Sequence, residues 1–101
     1  MSTLSTHVLD TVHGRPAAGV AVELWHDRGI VASLKTDAEG RARFGDVGQG
    51  AYELAFAVGD YFGEAPFLDV VPIRFTVADE ASHYHVPLLV SPWSYSTYRG
   101  S

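Results

Sequence analysis

Two histidines lie two positions apart near the end of the chain, and a third lies near its start. His83 and His85 belong to an apolar, β-branched run that ends at Val90, and His7 lies in the segment Ser5–Asp10. Residues i and i+2 project from the same face of a β-strand, so His83 and His85 are predicted to share one face. An imidazole titrates near about pH 6.5 and exchanges protons at neutral pH, which suits general acid–base chemistry or metal binding.

Taken singly, these residues have ordinary structural explanations. Zinc usually takes three or four protein ligands, and the chain has no cysteine and no acidic cluster that would complete a set with His7, His83 and His85. No Gly-x-Ser-x-Gly motif marks a serine nucleophile, and Asp37 and Glu39 are typical of a turn and not of a glycosidase pair. The spacing alone therefore predicts neither a metal site nor a known hydrolytic triad.

The composition indicates a folded, acidic chain. Its 101 residues are 47% hydrophobic, which is enough for one domain with a single core. The net charge of −5 leaves no basic face for a phosphate backbone, so nucleic acid is not an expected partner. The start of the chain has no basic and no apolar signal region, and no apolar run suits a membrane anchor. We expect a single domain over residues 1–101, located in the cytoplasm.

Apolar and polar residues alternate along most of the chain, and no window shows a helical stripe. The pattern predicts an all-β fold, a sandwich of two antiparallel sheets with about eight short strands. One short helical turn is expected within 59–65, where glycines interrupt the alternation. The predicted strands are Ser5–Asp10, Val20–His26, Ile30–Lys35, Arg41–Phe44, Ala51–Val58, Pro72–Ala78, His83–Val90 and Trp93–Arg99.

The strand His83–Val90 is predicted to have two unlike faces. One face is apolar and suits the core; it consists of Tyr84, Val86, Leu88 and Val90. The other face carries imidazoles beside apolar residues; it consists of His83, His85, Pro87 and Leu89. His7 and Leu9 repeat this combination on the first strand. A sandwich needs only its inner faces buried, so this half-apolar outer face predicts contact with a partner subunit or a bound ligand.

Three parts of the chain together resemble one protein family. They are Leu4–Asp10 with Gly14–Ala17, then Thr36–Arg41, and finally His83–Leu89 with the terminal Tyr-Arg-Gly-Ser of 98–101. These segments are similar to the 5-hydroxyisourate hydrolases of the transthyretin family. The resemblance covers nearly the whole chain and implies the transthyretin β-sandwich, assembled as a homotetramer around a central channel with active sites at a subunit interface.

The resemblance also implies an activity, the hydrolytic opening of a ring of 5-hydroxyisourate in urate (purine) degradation without a metal or organic cofactor. The family's catalytic positions fall on His7, Arg41 and His85. The tetrapeptide that shapes the substrate site corresponds to Tyr98, Arg99, Gly100 and Ser101. Ring opening needs a base for water, a donor for the oxyanion and an acid for the leaving nitrogen, and imidazoles with an arginine can supply these. Which histidine acts as base, and what His83 contributes, stay open.

The main alternative is a small-molecule carrier without hydrolase activity, because transthyretin itself shares the fold. Carriers of that kind lack the terminal Tyr-Arg-Gly-Ser and the combination of His7, Arg41 and His85, which favours the enzyme. A purely structural interaction module is a third interpretation. The segment Ala65–Val71 departs from the family's pattern, so the shape of that loop is not predicted.

Overall fold

The computed structural model describes residues 1–101 and contains nine strands and one short helix. The helix α1 is Val58–Phe62. The strands are β1 (Ser2–Asp10), β2 (Arg15–Pro16), β3 (Ala21–His26), β4 (Gly29–Lys35), β5 (Arg41–Val47), β6 (Gly50–Ala57), β7 (Val70–Val77), β8 (His83–Val90) and β9 (Tyr95–Thr97). The predicted all-β class and the short helix are confirmed. No helix in the structure has the length and apolarity needed to cross a bilayer.

The strands form two sheets. The five-stranded sheet has the order β2-β1-β8-β9, with β5 also paired to β1, and the four-stranded sheet has the order β4-β3-β6-β7. All pairs are antiparallel except β1 and β8, which run parallel. Periodicity in a sequence shows which face of a strand is buried but not the direction of the neighbouring strand. The prediction of antiparallel sheets therefore did not include this one parallel pair. It places the first and the eighth strand side by side at the centre of the sheet that carries the candidate site.

The core lies between the sheets and contains 18 buried hydrophobic residues. All four residues predicted for the apolar face of β8 are buried; they are Tyr84, Val86, Leu88 and Val90. Burying a side chain of this size contributes roughly 1.5–3 kcal/mol, and a slip of one residue would expose the whole set. The register of β8 is therefore strongly fixed, which holds His83 and His85 on the opposite, outer face.

Several strand boundaries differ from the sequence predictions: β1 starts at Ser2, β7 starts at Val70, and the short strand β2 was not predicted. The strand predicted as Arg41–Phe44 continues to Val47, because Gly45 adopts a φ of 74° and forms a bulge against β1 instead of ending the strand. The predicted strand Trp93–Arg99 is wrong in extent, since only Tyr95–Thr97 pairs with β8. Beyond it the chain leaves the ladder and returns at Gly100.

Candidate active site

The candidate site lies on the outer face of the five-stranded sheet, where three strands meet. The central strand β1 pairs Ser5 with Arg43 of β5 and with His85 of β8. Two residues further along, His7 pairs with Arg41. Because side chains at i and i+2 share a face, all of these residues project to the same side of the sheet. Strand pairing alone thus brings together the N-terminal, central and C-terminal parts of the chain.

A tight turn delivers Arg41 to its place opposite His7. The carboxylate of Asp37 accepts hydrogen bonds from the backbone N–H groups of Glu39 (2.9 Å) and Arg41 (3.0 Å). Gly40 completes the turn with a φ of 77°, and a Cβ atom there would lie 2.6 Å from the carbonyl oxygen of Val8. The turn therefore requires glycine for both its conformation and its close approach to β1. These hydrogen bonds also lower the pKa of Asp37, which is fully exposed.

The two histidines of β8 are joined by hydroxyl groups of β1. The hydroxyl of Thr3 lies 2.6 Å from Nδ1 of His83, and the hydroxyl of Ser5 lies 3.0 Å from Nε2 of the same ring. Ser5 also lies 2.8 Å from Nδ1 of His85. The two rings are nearly parallel, at 15°, with centroids 6.3 Å apart. The four side chains form a continuous hydrogen-bonded chain that leaves Nε2 of His85 without a protein partner.

The environment of His85 favours its neutral form. Burial lowers the pKa of His85 from its ordinary value, and the positive charges that His83, His7 and Arg41 carry or can carry lower it further. A hydrogen bond involving Ser5 opposes these effects and is the smallest contribution. A neutral imidazole can accept a proton at neutral pH, which is the state a general base needs.

The end of the chain packs directly on His85. The backbone N–H of Gly100 donates to the carbonyl oxygen of His85 at 2.7 Å. A Cβ atom on Gly100 would lie 2.6 Å from Cδ2 of the His85 ring, so only glycine fits here without moving one of the two. Ser101 continues from this contact into the lining of the neighbouring cavity.

The other two residues of the terminal tetrapeptide point elsewhere in the single chain. The guanidinium of Arg99 lies 4.2 Å above the ring of Tyr84 and 3.9 Å from the carboxylate of Asp79. The side chain of Tyr98 is 61% exposed. Neither residue lines the cavity, so the structure brings Gly100 and Ser101 to the site but not Tyr98 and Arg99.

A polar cavity of about 300 Å³ lies over this part of the sheet. All of its lining residues are polar or charged: Ser5, Thr6, Arg41, Arg43, His83, His85 and Ser101. The half-buried His7 borders the site through its pairing with Arg41 but is not part of the lining. Sequence reasoning missed Ser5, Thr6 and Arg43. Ser5 and Arg43 each lie two residues from a predicted site residue and so share its face.

A second hollow, of about 550 Å³, lies near the β3–β4 turn. It contains none of the predicted site residues. Its histidine, His26, is already engaged by the carbonyl of Ala51 (2.9 Å) and the carboxylate of Asp27 (3.2 Å). His13 also lies apart from the site, where its Nδ1 is 2.7 Å from the buried carboxylate of Asp10. Both histidines thus have structural partners outside the candidate site.

The residues of the candidate site do not form a metal centre in this arrangement. No group of three or more His, Cys, Asp or Glu side chains is placed to hold a metal ion. Both ring nitrogens of His83 are within hydrogen-bond distance of hydroxyl groups. The arrangement instead suits proton exchange at His85 beside the permanent positive charges of Arg41 and Arg43, which can stabilise an oxyanion or bind an anionic group.

The fold and the site together define a transthyretin-type β-sandwich with a histidine and arginine site on an outer sheet face. The chain belongs to the HIUase/Transthyretin family, whose model matches residues 4–100. The resemblance drawn from the three sequence segments is thereby confirmed.

Individual relatives agree with this assignment. The chain is 51% identical to the 5-hydroxyisourate hydrolase of Deinococcus radiodurans, over 97% of this chain and 95% of that protein. The structure is similar to that of Klebsiella pneumoniae 5-hydroxyisourate hydrolase, with a TM-score of 0.91 and 40% identity over 100% of this chain and 94% of the other. Sea bream transthyretin in complex with thyroxine is also similar, with a TM-score of 0.84 and 32% identity over 96% and 93% of the two chains.

Proposed function

We propose that this protein is a 5-hydroxyisourate hydrolase. The observation that carries the proposal is that His85, whose pKa is lowered by burial and by nearby positive charge, lines a wholly polar cavity together with Arg41, in a chain that is 51% identical to an enzyme of that name. The cavity of about 300 Å³ suits a small, polar, ring-shaped substrate. The reaction is the addition of water to a ring amide followed by cleavage of the carbon–nitrogen bond, and no cofactor is part of the proposal.

The proposed catalytic residues are His7, Arg41 and His85. His85 and His7 position and activate water, with His85 accepting the proton because it lines the cavity and its Nδ1, but not its Nε2, has a protein partner. Arg41 stabilises the negative oxygen that forms when water adds to the carbonyl, since a permanent charge near that oxygen is worth more in a partly buried site than in water. The proposed substrate-binding residues are Tyr98, Arg99, Gly100 and Ser101.

The carrier alternative is less well supported by the character of the cavity. Sites for apolar aromatic ligands are lined mainly by hydrophobic and aromatic side chains. The lining residues at the candidate site include no hydrophobic side chain, and four of them are histidine or arginine. A carrier for a ligand such as thyroxine would not need these histidine and arginine side chains, whereas hydrolysis uses them.

We further propose a homotetramer with the active site at a subunit interface. All three residues of β9 are exposed, and so are Tyr98 and Arg99, the part of the tetrapeptide that does not reach the cavity of its own chain. A neighbouring subunit would cover this surface and close the site. A single domain over residues 1–101 and a cytoplasmic location are part of the same proposal, and cell fractionation checks the location.

The decisive experiment generates 5-hydroxyisourate with urate oxidase and follows its decay by ultraviolet absorbance with and without this protein. The hydrolase proposal expects decay well above the spontaneous rate and proportional to protein concentration. A carrier would bind the compound or an aromatic ligand and leave the decay rate unchanged. Decay at the spontaneous rate would refute the enzyme assignment.

A further inference from the structure

The series of hydrogen-bonded side chains that leads to His85 includes residues that have no role among the proposed catalytic residues. It runs from the half-buried Thr3, through the exposed His83 and the buried Ser5, to the half-buried His85. Each contact lies between 2.6 and 3.0 Å, which is hydrogen-bond distance. The contact between Thr3 and His83 is exposed and the contact between Ser5 and His85 is partly buried, so this series of hydrogen bonds connects the candidate site with solvent.

Counting protons leaves two arrangements in which every member of the chain both donates and accepts. The Ser5 hydroxyl has one proton and two imidazole neighbours, so it donates to one ring and accepts from the other. If Ser5 donates to His83, then His83 and His85 both carry their proton on Nδ1. If Ser5 donates to His85, both rings carry it on Nε2. The tautomers of the two histidines are thus coupled through one hydroxyl group.

We propose that Thr3, His83 and Ser5 form a proton relay that resets the protonation of His85 during the hydrolysis of the substrate. This inference rests on the proposed function. Ser5 and His83 are positioning residues in this scheme, because they act on the reaction only through His85.

The relay carries one proton out to solvent in the first step of the reaction and one proton back in the second step. In the first step a water O–H bond breaks and its proton goes to Nε2 of His85, while the hydroxide adds to the ring carbonyl. The Nδ1 proton of His85 passes to Ser5, the proton of Ser5 to Nε2 of His83, the Nδ1 proton of His83 to Thr3, and the hydroxyl proton of Thr3 to solvent. Both rings stay neutral, and the negative charge rests on the substrate oxygen beside Arg41.

The second step reverses the chain. The tetrahedral intermediate collapses, the carbon–nitrogen bond breaks, and the leaving nitrogen takes the Nε2 proton of His85. Protons then move inward from solvent through Thr3, His83 and Ser5, which restores Nδ1–H on both rings. The same histidine thereby serves as base and then as acid without ever holding two protons. The lowered pKa of His85 agrees with this, since burial and, to a smaller extent, His83, His7 and Arg41 oppose a positive ring there.

The first test is kinetic and uses Ser5→Ala. We expect kcat to fall roughly 10- to 100-fold with KM little changed, which is less than the loss from removing a direct acid–base group. Ser33→Ala is the matched control, because Ser33 is exposed on β4 and outside the site. In mixtures of H₂O and D₂O, kcat of the wild type should fall along a curve, as several protons move together, and that of Ser5→Ala along a straight line. A kcat within about twofold of the wild type, or equal curvature in both proteins, overturns the relay.

The second test removes the middle of the relay and restores it. His83→Ala should lose activity to a similar extent, and added imidazole should recover it in a concentration-dependent way, because His83 is exposed and its space is open to solvent. His26→Ala is the control and should show neither loss nor response to imidazole. A loss that imidazole does not recover, in a protein with wild-type circular dichroism, counts against the relay.

The third measurement does not depend on activity. Long-range ¹H–¹⁵N spectra at about pH 8, where imidazoles are neutral, report which ring nitrogen carries the proton. The relay expects the same tautomer mixture on His83 and His85 in the wild type and loss of that match in Ser5→Ala. Opposite tautomers in the wild type overturn the relay. If the wild type fails to accelerate decay but the tautomers match, the hydrolase proposal fails and the coupled chain of side chains stands.

Discussion

At the scale of single residues, groups in and beside the cavity favour the neutral form of His85. Burial and the nearby groups His83, His7 and Arg41 all disfavour a second proton on its ring. A general base is effective only while it is unprotonated, so these neighbours extend the pH range in which the proposed base works. The same arrangement of residues around His85 therefore determines both the structure of the site and its expected pH dependence.

The acid limb of the pH–rate profile should lie below the ordinary histidine value of about 6.5. The sign follows from the lowered pKa, because His85 stays neutral until the pH falls through that lowered value. Arg41→Ala removes a positive neighbour and should move the limb upward while also reducing the rate. The measurement is kcat/KM against pH for both proteins. An acid limb at or above about 6.5 in the wild type would contradict the assignment of His85 as base.

Loss of a proposed catalytic side chain should reduce turnover without loss of the fold. We expect His85→Asn and Arg41→Ala to lower kcat by roughly 10²-fold or more, the scale for a lost acid–base or oxyanion group. His26→Asn and His13→Asn are the controls and should retain nearly normal turnover, since both lie away from the cavity. His13 contacts the buried Asp10 carboxylate, so its replacement should affect thermal stability more than rate. Nearly normal turnover in His85→Asn would remove that residue from the mechanism.

At the scale of secondary-structure elements, the site depends on the register of the strands. The turn at Asp37–Gly40 starts β5 with Arg41 directly opposite His7. The last strand, β9, stops at Thr97, and Gly100 pairs with His85 in the same antiparallel register. The register of the terminal segment on β8 is what brings its backbone against a catalytic candidate.

Gly100 tests this close contact. Gly100→Ala places a methyl group 2.6 Å from Cδ2 of His85, so either the ring or the terminal segment must move. We expect turnover to fall by roughly 10-fold or more, because displacements near 1 Å can cost about 10²-fold in rate. Gly48→Ala is the matched control, since a Cβ there meets no atom within 4 Å. Equal rates for the two variants would show that the contact does not position His85.

At the scale of the whole molecule, the sequence predicts which strand faces are buried but not which strands lie next to each other in a sheet. Alternation identifies the core face of β8, and hence the outward direction of His83 and His85, from the residues alone. The parallel pairing of β1 with β8 joins residues about eighty positions apart, and no local signal encodes it. That pairing is what makes Ser5 a bridge between two imidazoles, so this role of Ser5 could not be recognised before the strands were placed, although its spacing from His7 puts it on the same strand face. Gly45 misled the prediction because a bulge and a chain break both favour glycine.

In a single chain, the evidence for assembly is the set of large apolar side chains that it leaves exposed. Phe67 and Trp93 stack with ring centroids 6.5 Å apart and are 69% and 64% exposed, and Tyr98 is 61% exposed. Large aromatic side chains are costly to leave in water and are enriched where subunits meet. They therefore favour the proposed homotetramer, in which a neighbouring subunit covers the terminal segment.

If the active site needs that neighbour, catalysis and assembly should be lost together. On dilution, specific activity should fall over the same concentration range in which the mass measured by light scattering falls from four times the 10.9 kDa chain toward one. Trp93→Ser should shift both transitions to higher concentration. Val31→Ser is the matched control, because Val31 is 55% exposed on β4 of the other sheet. A monomer with full specific activity would show that one chain builds the complete site.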